Sequence, residues 1–569
     1  MLRSERTISR VRRFSQFSLR GVFCERKGLV IAVTFVSLVS IFFIFHRGSF
    51  FFHHIFEQSD LDSEQKDRSG FSSLPPIILG EGKAIVKGHV YGYDHDAKGQ
   101  IRIGLMNPIM NEPGSRLADI ADNGDFYLEI PLISNSSVLF ISDYYSEYIV
   151  LSPEDTCYID IDAKKVTGIQ EFDVIERSTI DSQYVRFRGA FSKVNSELND
   201  IRFWFNTRKL KCEGEYENSA VLKRQILSRL EDLLKELHST NISDATKELV
   251  TINLQQLAIR CLLWDYSLLG NHTKNGDLTT AVVDMGYFDF LKEMSINVPN
   301  SFYGRLYGDC IWLCMDIEKY TFPFEKIVEL NSRPVKVLSY DDLLRQKDFL
   351  ARVLGEHEGP AFDLLTVLNF TSLLRSDLPL NDWQIAELVK LEEPVYHDYI
   401  VRRNESLDSM LNSLREKPLS RLIDATEKEV DFFESILSQY KGNVILIDLW
   451  SMGCIPCIQA IDFIESKKEK YKDRNVKFIY LSDDHFDYTF WENKSIQIEG
   501  IHYRLNQNQI DFLQSKYGMG EAVPHFLLLD IEGNCIINQK GYLKPVMENI
   551  LSIIDQEISK TKQGTLVVE

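Results

Sequence analysis

At 569 residues the chain exceeds what one hydrophobic core can organise, so three or more folded units are expected. Apolar residues make up 44% and charged residues 26%, an ordinary globular balance that excludes extensive disorder. The net charge of −19 leaves no phosphate-neutralising surface and excludes nucleic acid as a partner, while nine cysteines, scattered and odd in number, exclude a disulfide scaffold.

Residues 1–27 form a basic segment carrying Arg3, Arg6, Arg10, Arg12, Arg13, Arg20, Arg26 and Lys27. Gly28 to Phe45 then runs without a charge. As a helix this run would reach ~27 Å at ~1.5 Å per residue, close to the hydrocarbon thickness of a bilayer. The run is expected to be a transmembrane helix whose basic flank stays in the cytoplasm, leaving the rest of the chain outside. A cleaved signal peptide is the competing reading, opposed by the long basic lead and the lack of a small-x-small cleavage site.

Residues 46–80 read as a linker, most polar between Glu57 and Pro76. Residues 81–165 are β-rich. Strands are expected at Ala84–Val90, Phe126–Ile130, Val138–Ile141, Tyr148–Leu151 and Cys157–Ile161, with Asp122-Asn-Gly124 as a turn. Short strands and frequent turns predict a small antiparallel β-sandwich. Over 166–435 the apolar period changes to about 3.6. Ile226, Leu230, Leu233 and Leu234 make one stripe, and Leu306, Cys310, Leu313, Cys314 and Ile317 another, so this block is expected to be α-helical. A loop and cap at Asp377–Asp382 precede a further helix.

Residues 436–569 alternate strand and helix. Strands are expected at Val444–Leu449, Val476–Leu481, His525–Leu529 and Cys535–Gln539, and helices at Ile458–Tyr471, Gln507–Tyr517 and Pro545–Ile558. At the first strand-to-helix junction stands Cys454-Ile455-Pro456-Cys457. A helix N-terminus has unpaired N–H groups and partial positive charge, which stabilise a thiolate. Two thiols so placed can close a small disulfide and reopen it. Zinc sites also use this spacing, but His485, His502, His525 and Cys535 supply no second ligand pair. Haem attachment needs His where Ile458 stands. A peroxidase would want Pro and Thr where Ile447 and Ser451 stand.

Asp448-Leu-Trp450-Ser-Met-Gly-Cys454-Ile-Pro-Cys457, with Ala522-Val523-Pro524 downstream, resembles the thioredoxin fold. More narrowly it is similar to the membrane-anchored TlpA/ResA-like thiol–disulfide oxidoreductases of bacteria, in their large multidomain form. The close resemblance covers residues ~436–560. It implies a multidomain chain: an N-terminal transmembrane helix, an antiparallel β-sandwich, an α-helical domain and a C-terminal α/β thioredoxin fold. It implies a single-pass protein of the bacterial inner membrane with its main body in the periplasm. Cys454 would be the attacking thiol and Cys457 the resolving one, with no cofactor beyond their disulfide. Pro456 would stiffen the first turn, and Val523-Pro524 would be a cis peptide leaving the Val523 backbone free for an extended substrate. An ordinary trans proline is the alternative. Asp448 would be a buried proton relay, its alternative a strand-end carboxylate facing water. Trp450 would pack beneath the site.

Two departures stand out. Gly453 occupies a position that is often aromatic in these proteins, opening access to the sulfur. His525 follows the proline where small or hydroxylated residues are frequent; it is expected to point into solvent, the alternative being a charged imidazole that raises the thiolate fraction. Cys157, Cys261 and Cys535 read as core thiols, and Cys310 and Cys314 as unbridged neighbours on one helix. Cys212 lies in a charged, exposed-looking stretch. The expected function is reduction of protein disulfides, with an upstream membrane or periplasmic electron donor. The alternative is a cell-envelope binding or redox-sensing protein.

Overall fold

The computed structural model describes residues 73–165, 184–201, 210, 219–269, 285–318, 338–430 and 432–564, apart from 78, 95, 97, 98 and 521. The chain divides into two compact units, Met1–Val328 with Phe349–Leu364, and Glu329–Asp348 with Leu365–Glu569.

The transmembrane helix expected over 28–45 is not supported, nor is the single-pass inner-membrane and periplasmic placement that hung on it. No helix among the described residues is long and apolar enough to cross a membrane, and 28–45 itself lies outside them. The physical weakness lies in the run itself. Eighteen residues sit near the lower limit for a span, and Thr34, Ser37 and Ser40 interrupt these.

The first unit holds strands β1 (Gly82–Tyr91), β2 (Gln100–Asn107), β3 (Glu112–Asp119), β4 (Asp125–Leu132), β5 (Ser136–Ile141), β6 (Ser146–Leu151), β7 (Thr156–Asp162) and β8 (Val185–Arg188). They make two four-stranded sheets, β4-β1-β7-β8 and β3-β2-β5-β6. Period-2 alternation explains the core: Phe126, Leu128, Ile130 and Leu132 of β4 point inward, as do Cys157, Ile159 and Ile161 of β7. The antiparallel expectation needs correction, because β1 and β7 run parallel, with Ile85 opposite Thr156 and Tyr91 opposite Asp162. The chain visits the other sheet between them and returns in its original direction. β2 and β3 went unrecognised in the sequence. Gly104 interrupts the first, and β3 is an edge strand with no fully buried residue.

Gly88 permits the β1–β7 contact. A Cβ added there would sit 1.8 Å from the carbonyl oxygen of Ile159. Gly88→Ala is therefore expected to destabilise the sandwich by about 3 kcal/mol. Urea denaturation checks this, and an unchanged midpoint would contradict so close an approach.

Helices of this unit are α1 (Ser192–Ile201), α2 (Ser219–Ser239), α3 (Asp244–Leu269) and α4 (Tyr307–Glu318). On α2 the stripe Ile226, Leu230 and Leu233 is buried. Asn195 fastens α1 to β6, accepting from the Val150 N–H at 2.8 Å and donating to its carbonyl at 3.2 Å. Helices α5 (Tyr340–Leu354), α6 (Pro360–Arg375), α7 (Asp382–Leu388) and α8 (Pro394–Glu416) follow. Asn381 and Gln384 form a capping box at α7, where the loop and cap were expected.

The second unit ends in β9 (Ser420–Asp424), α9 (Phe432–Gln439), β10 (Val444–Trp450), α10 (Ile455–Lys468), β11 (Val476–Asp483), α11 (Tyr488–Ser495), β12 (Gly500–Leu505), α12 (Gln507–Tyr517), β13 (His525–Leu529), β14 (Cys535–Lys540) and α13 (Lys544–Gly564). Its sheet runs β14-β13-β10-β11-β12-β9. β10 pairs parallel with β11 and antiparallel with β13. Every residue of β10 is buried, as the near-continuous apolar run of a central strand requires. Val444, Leu446 and Trp450 share a core with Ile461 and Ile464 of α10 and Met547 and Ile554 of α13. Ile445, Ile447 and Leu449 share the opposite core with Phe433 of α9 and Leu513 of α12. β9, β12, α9 and α11 were not anticipated. β9 is a half-exposed edge strand, and Gly500, His502 and Arg504 break the apolar signature of β12.

Candidate active site

The polypeptide turns from β10 into α10 through Ser451-Met452-Gly453-Cys454. Cys454 is the N-cap of α10, so the helix begins three residues before the expected Ile458 and takes in Cys457, with Cys454 capping it. The Cys454 sulfur accepts from the Cys457 N–H at 3.1 Å, the interaction that marks a cap. Pro456 sits in the first turn, where a missing N–H leaves nothing unsatisfied. Cys454 and Cys457 are joined by a disulfide. Cys454 is half-buried, whereas Cys457 is 0% exposed and packs in the α10-side core with Trp450. One sulfur is thus open to an incoming group and the other is shielded.

The Val523–Pro524 peptide is cis. The Val523 carbonyl oxygen lies 3.6 Å from the Cys454 sulfur, so the structure brings the CxxC and the Val523-Pro524 segment together. The Pro524 carbonyl accepts from the Gly541 N–H at 2.8 Å, holding the segment against the turn before α13.

Asp448 is 1% exposed, and neither carboxylate oxygen has a hydrogen-bond partner among the described residues. The water-facing alternative is thereby removed. Strand alternation puts Asp448 on the same face as Leu446 and Trp450, the face covered by the helix that carries Cys457. Burial pushes the Asp448 carboxyl well above its ordinary range, and the charge of Lys468 offsets only part of this. A carboxylate so placed holds a proton more tightly than one in water.

Lys468 was not anticipated. It stands in the middle of the run Ser466-Lys-Lys-Glu-Lys470, which reads as a solvated helix end. Instead its side chain is 7% exposed. Its ammonium donates to Glu465, to the Glu499 carbonyl and to the Tyr480 hydroxyl, the last at 3.1 Å. Burial lowers its pKa against the pull of Glu465. Only a three-dimensional view shows that its ammonium lies over the rings of Phe478 and Tyr480, 4.7 Å and 4.9 Å from their centroids.

His525 corrects another expectation. It is fully buried on β13 and its Nε2 pairs with the Asn538 side-chain oxygen on β14. Cys535 is exposed instead of core, because β14 is the sheet edge, and Cys261 is only partly buried. Cys157, Cys310 and Cys314 are buried and free, their thiol pKa values raised by burial. Cys212 lies outside the described residues. Beside the CxxC, Gly453 faces the ring of Phe486: a Cβ at Gly453 would lie 3.6 Å from Phe486 Cζ.

No protein-family model matches the chain, and no curated protein matches it. Solved structures do. The chain is similar to the thioredoxin domain of a thiol–disulfide oxidoreductase from Bacteroides vulgatus, at 18% identity over 21% of this chain and 84% of that one, with a TM-score of 0.19. It is similar to a thiol:disulfide interchange protein of the thioredoxin family from Chlorobium tepidum, at 16% identity over 21% and 83%, with a TM-score of 0.19. A third is the pneumococcal exposed lipoprotein thioredoxin of Streptococcus pneumoniae, at 17% identity over 21% and 89%, with a TM-score of 0.18. These similarities concern about a fifth of the chain.

Proposed function

We propose that the protein is a thiol–disulfide oxidoreductase of the TlpA/ResA-like kind, acting through Cys454 and Cys457 as a reductase of polypeptide disulfides. The observation that carries the reading is the asymmetry of the pair: a half-buried sulfur at a helix N-cap bonded to a fully buried one in the first turn.

The reduced pair starts the cycle. The Cys454 thiolate attacks one sulfur of the target disulfide, and the other target sulfur leaves as a thiolate and takes a proton from water. Cys457 then loses its proton and attacks the Cys454 sulfur. That bond releases the second target thiol and closes Cys454–Cys457. Two electrons have passed to the target, so a dithiol donor must return two to this chain before the next turn. Asp448, buried on the Cys457 side of β10, is the group suited to take the Cys457 proton and to return it on re-reduction.

The test is catalysis of insulin reduction with dithiothreitol as donor, alongside a titration of the pair against glutathione. A reversible two-electron couple and accelerated insulin reduction are expected. Absence of any couple at Cys454 and Cys457, followed by alkylation and mass, would refute the reading.

A further inference from the structure

We infer that Phe486 is a specificity-determining residue, an apolar wall beside Cys454 that favours disulfides embedded in polypeptide over small polar ones. This rests on the reading of Cys454 as the attacking thiol.

Gly453 immediately precedes that sulfur and has no side chain. Among the described residues, and apart from its two chain neighbours, the only atom within 4 Å of a Cβ placed there is Phe486 Cζ, at 3.6 Å. The ring therefore arrives from elsewhere in the chain, on the loop between β11 and α11. This loop is fastened at several points. Arg504 of β12 donates to the Phe486 carbonyl at 2.8 Å and to the Asp484 carbonyl at 3.4 Å. The Asp483 carboxylate accepts from the His485 N–H at 3.1 Å, and Asp487 caps α11 through the Thr489 N–H at 2.9 Å. Phe486 also packs against His485 and Phe490, with centroids 5.5 Å and 6.0 Å away. A ring held on both sides of its own backbone is preorganised, so little order is lost when something packs on it.

Two other apolar residues stand by the same sulfur, Ile455 and Val523, the latter with its carbonyl oxygen 3.6 Å from it. Ile455, next in sequence to Cys454, is 73% exposed. Val523 itself is half-buried. Covering such side chains favours a partner that brings apolar side chains of its own. A polypeptide flanking a cystine does so, whereas a small polar disulfide such as bis(2-hydroxyethyl) disulfide reaches the sulfur without covering them.

The experiment uses the full chain with two substrates, insulin and bis(2-hydroxyethyl) disulfide, and reads the ratio of their kcat/KM values. Phe486→Ala is expected to lower the insulin-to-small-disulfide ratio about tenfold, as loss of an aromatic contact does. Phe486→Leu, which keeps apolar volume, should retain most of the ratio. Gly453→Trp added to Phe486→Ala should restore it by returning a ring to the same place. An unchanged ratio in Phe486→Ala, whether both rates fall together or neither falls, overturns the inference. If the unmodified protein reduces neither disulfide, it is the assignment of Cys454 that fails.

Discussion

Cys454→Ser is expected to bring disulfide reduction down to the uncatalysed background. A serine hydroxyl ionises far above neutral pH and lacks the nucleophilicity of sulfur, and the helix N-terminus supplies no general base to make up the difference. The neighbouring variant should behave differently. In Cys457→Ser the first attack still occurs, because Cys454 is the open sulfur. The resolving step has no thiol, since Cys457 was the group in the first turn that would make it. The expected product is a mixed disulfide between Cys454 and the target, stoichiometric with protein and released by dithiothreitol. Non-reducing electrophoresis and intact mass check both variants. Undiminished turnover in Cys454→Ser would end the proposed mechanism.

Asp448→Asn should do two opposite things. Removal of the proposed proton acceptor is expected to slow the resolving step by about 100-fold, the lower range for general acid–base catalysis. The same change should stabilise the fold. The carboxyl of Asp448 is held well above its ordinary 3.8 by burial, so folding favours the protonated form. Its favourable contribution is complete below the unfolded value and is lost as pH rises through the folded one. Above that point the native state carries a buried charge with no hydrogen bond, or keeps a proton the unfolded chain has released. Asparagine avoids both. The variant is therefore expected to gain about 1–3 kcal/mol at neutral pH, with a smaller gain near pH 4. Urea melts at several pH values, paired with single-turnover rates, check both effects. A stability difference that shrank as pH rose would contradict the burial argument. Lys468 bears on the same balance, because its ammonium pulls Asp448 toward ionisation.

Much of the α/β unit was legible because its elements carry strong local signals. β10 is a continuous apolar run and α12 has its capping box, Asn506 with Gln509. The CxxC announces itself by spacing. What escaped was held in place by distant partners. β9 and β12 are polar enough to read as loop, and become strands only because β11 offers an edge to β12 and β12 one to β9. Lys468 and His525 carry the residue types of a surface, yet tertiary packing buries both. In the sandwich, β7 was read from its alternation, but its parallel alignment with β1 follows from a path through another sheet that no local pattern encodes. The 28–45 run was read from composition alone and lies outside the described residues, none of whose helices is long and apolar enough to cross a membrane.

The position of β10 also bears on how this unit is made. Its two neighbours are β11, which follows closely, and β13, which emerges from the ribosome some seventy-five residues after β10 (Leu449 pairs with His525). Until then one edge of the most apolar strand in the unit, Val444 to Trp450, has no partner. A nascent or truncated chain ending before His525 would offer that edge to other chains, a recognised route to aggregation during synthesis.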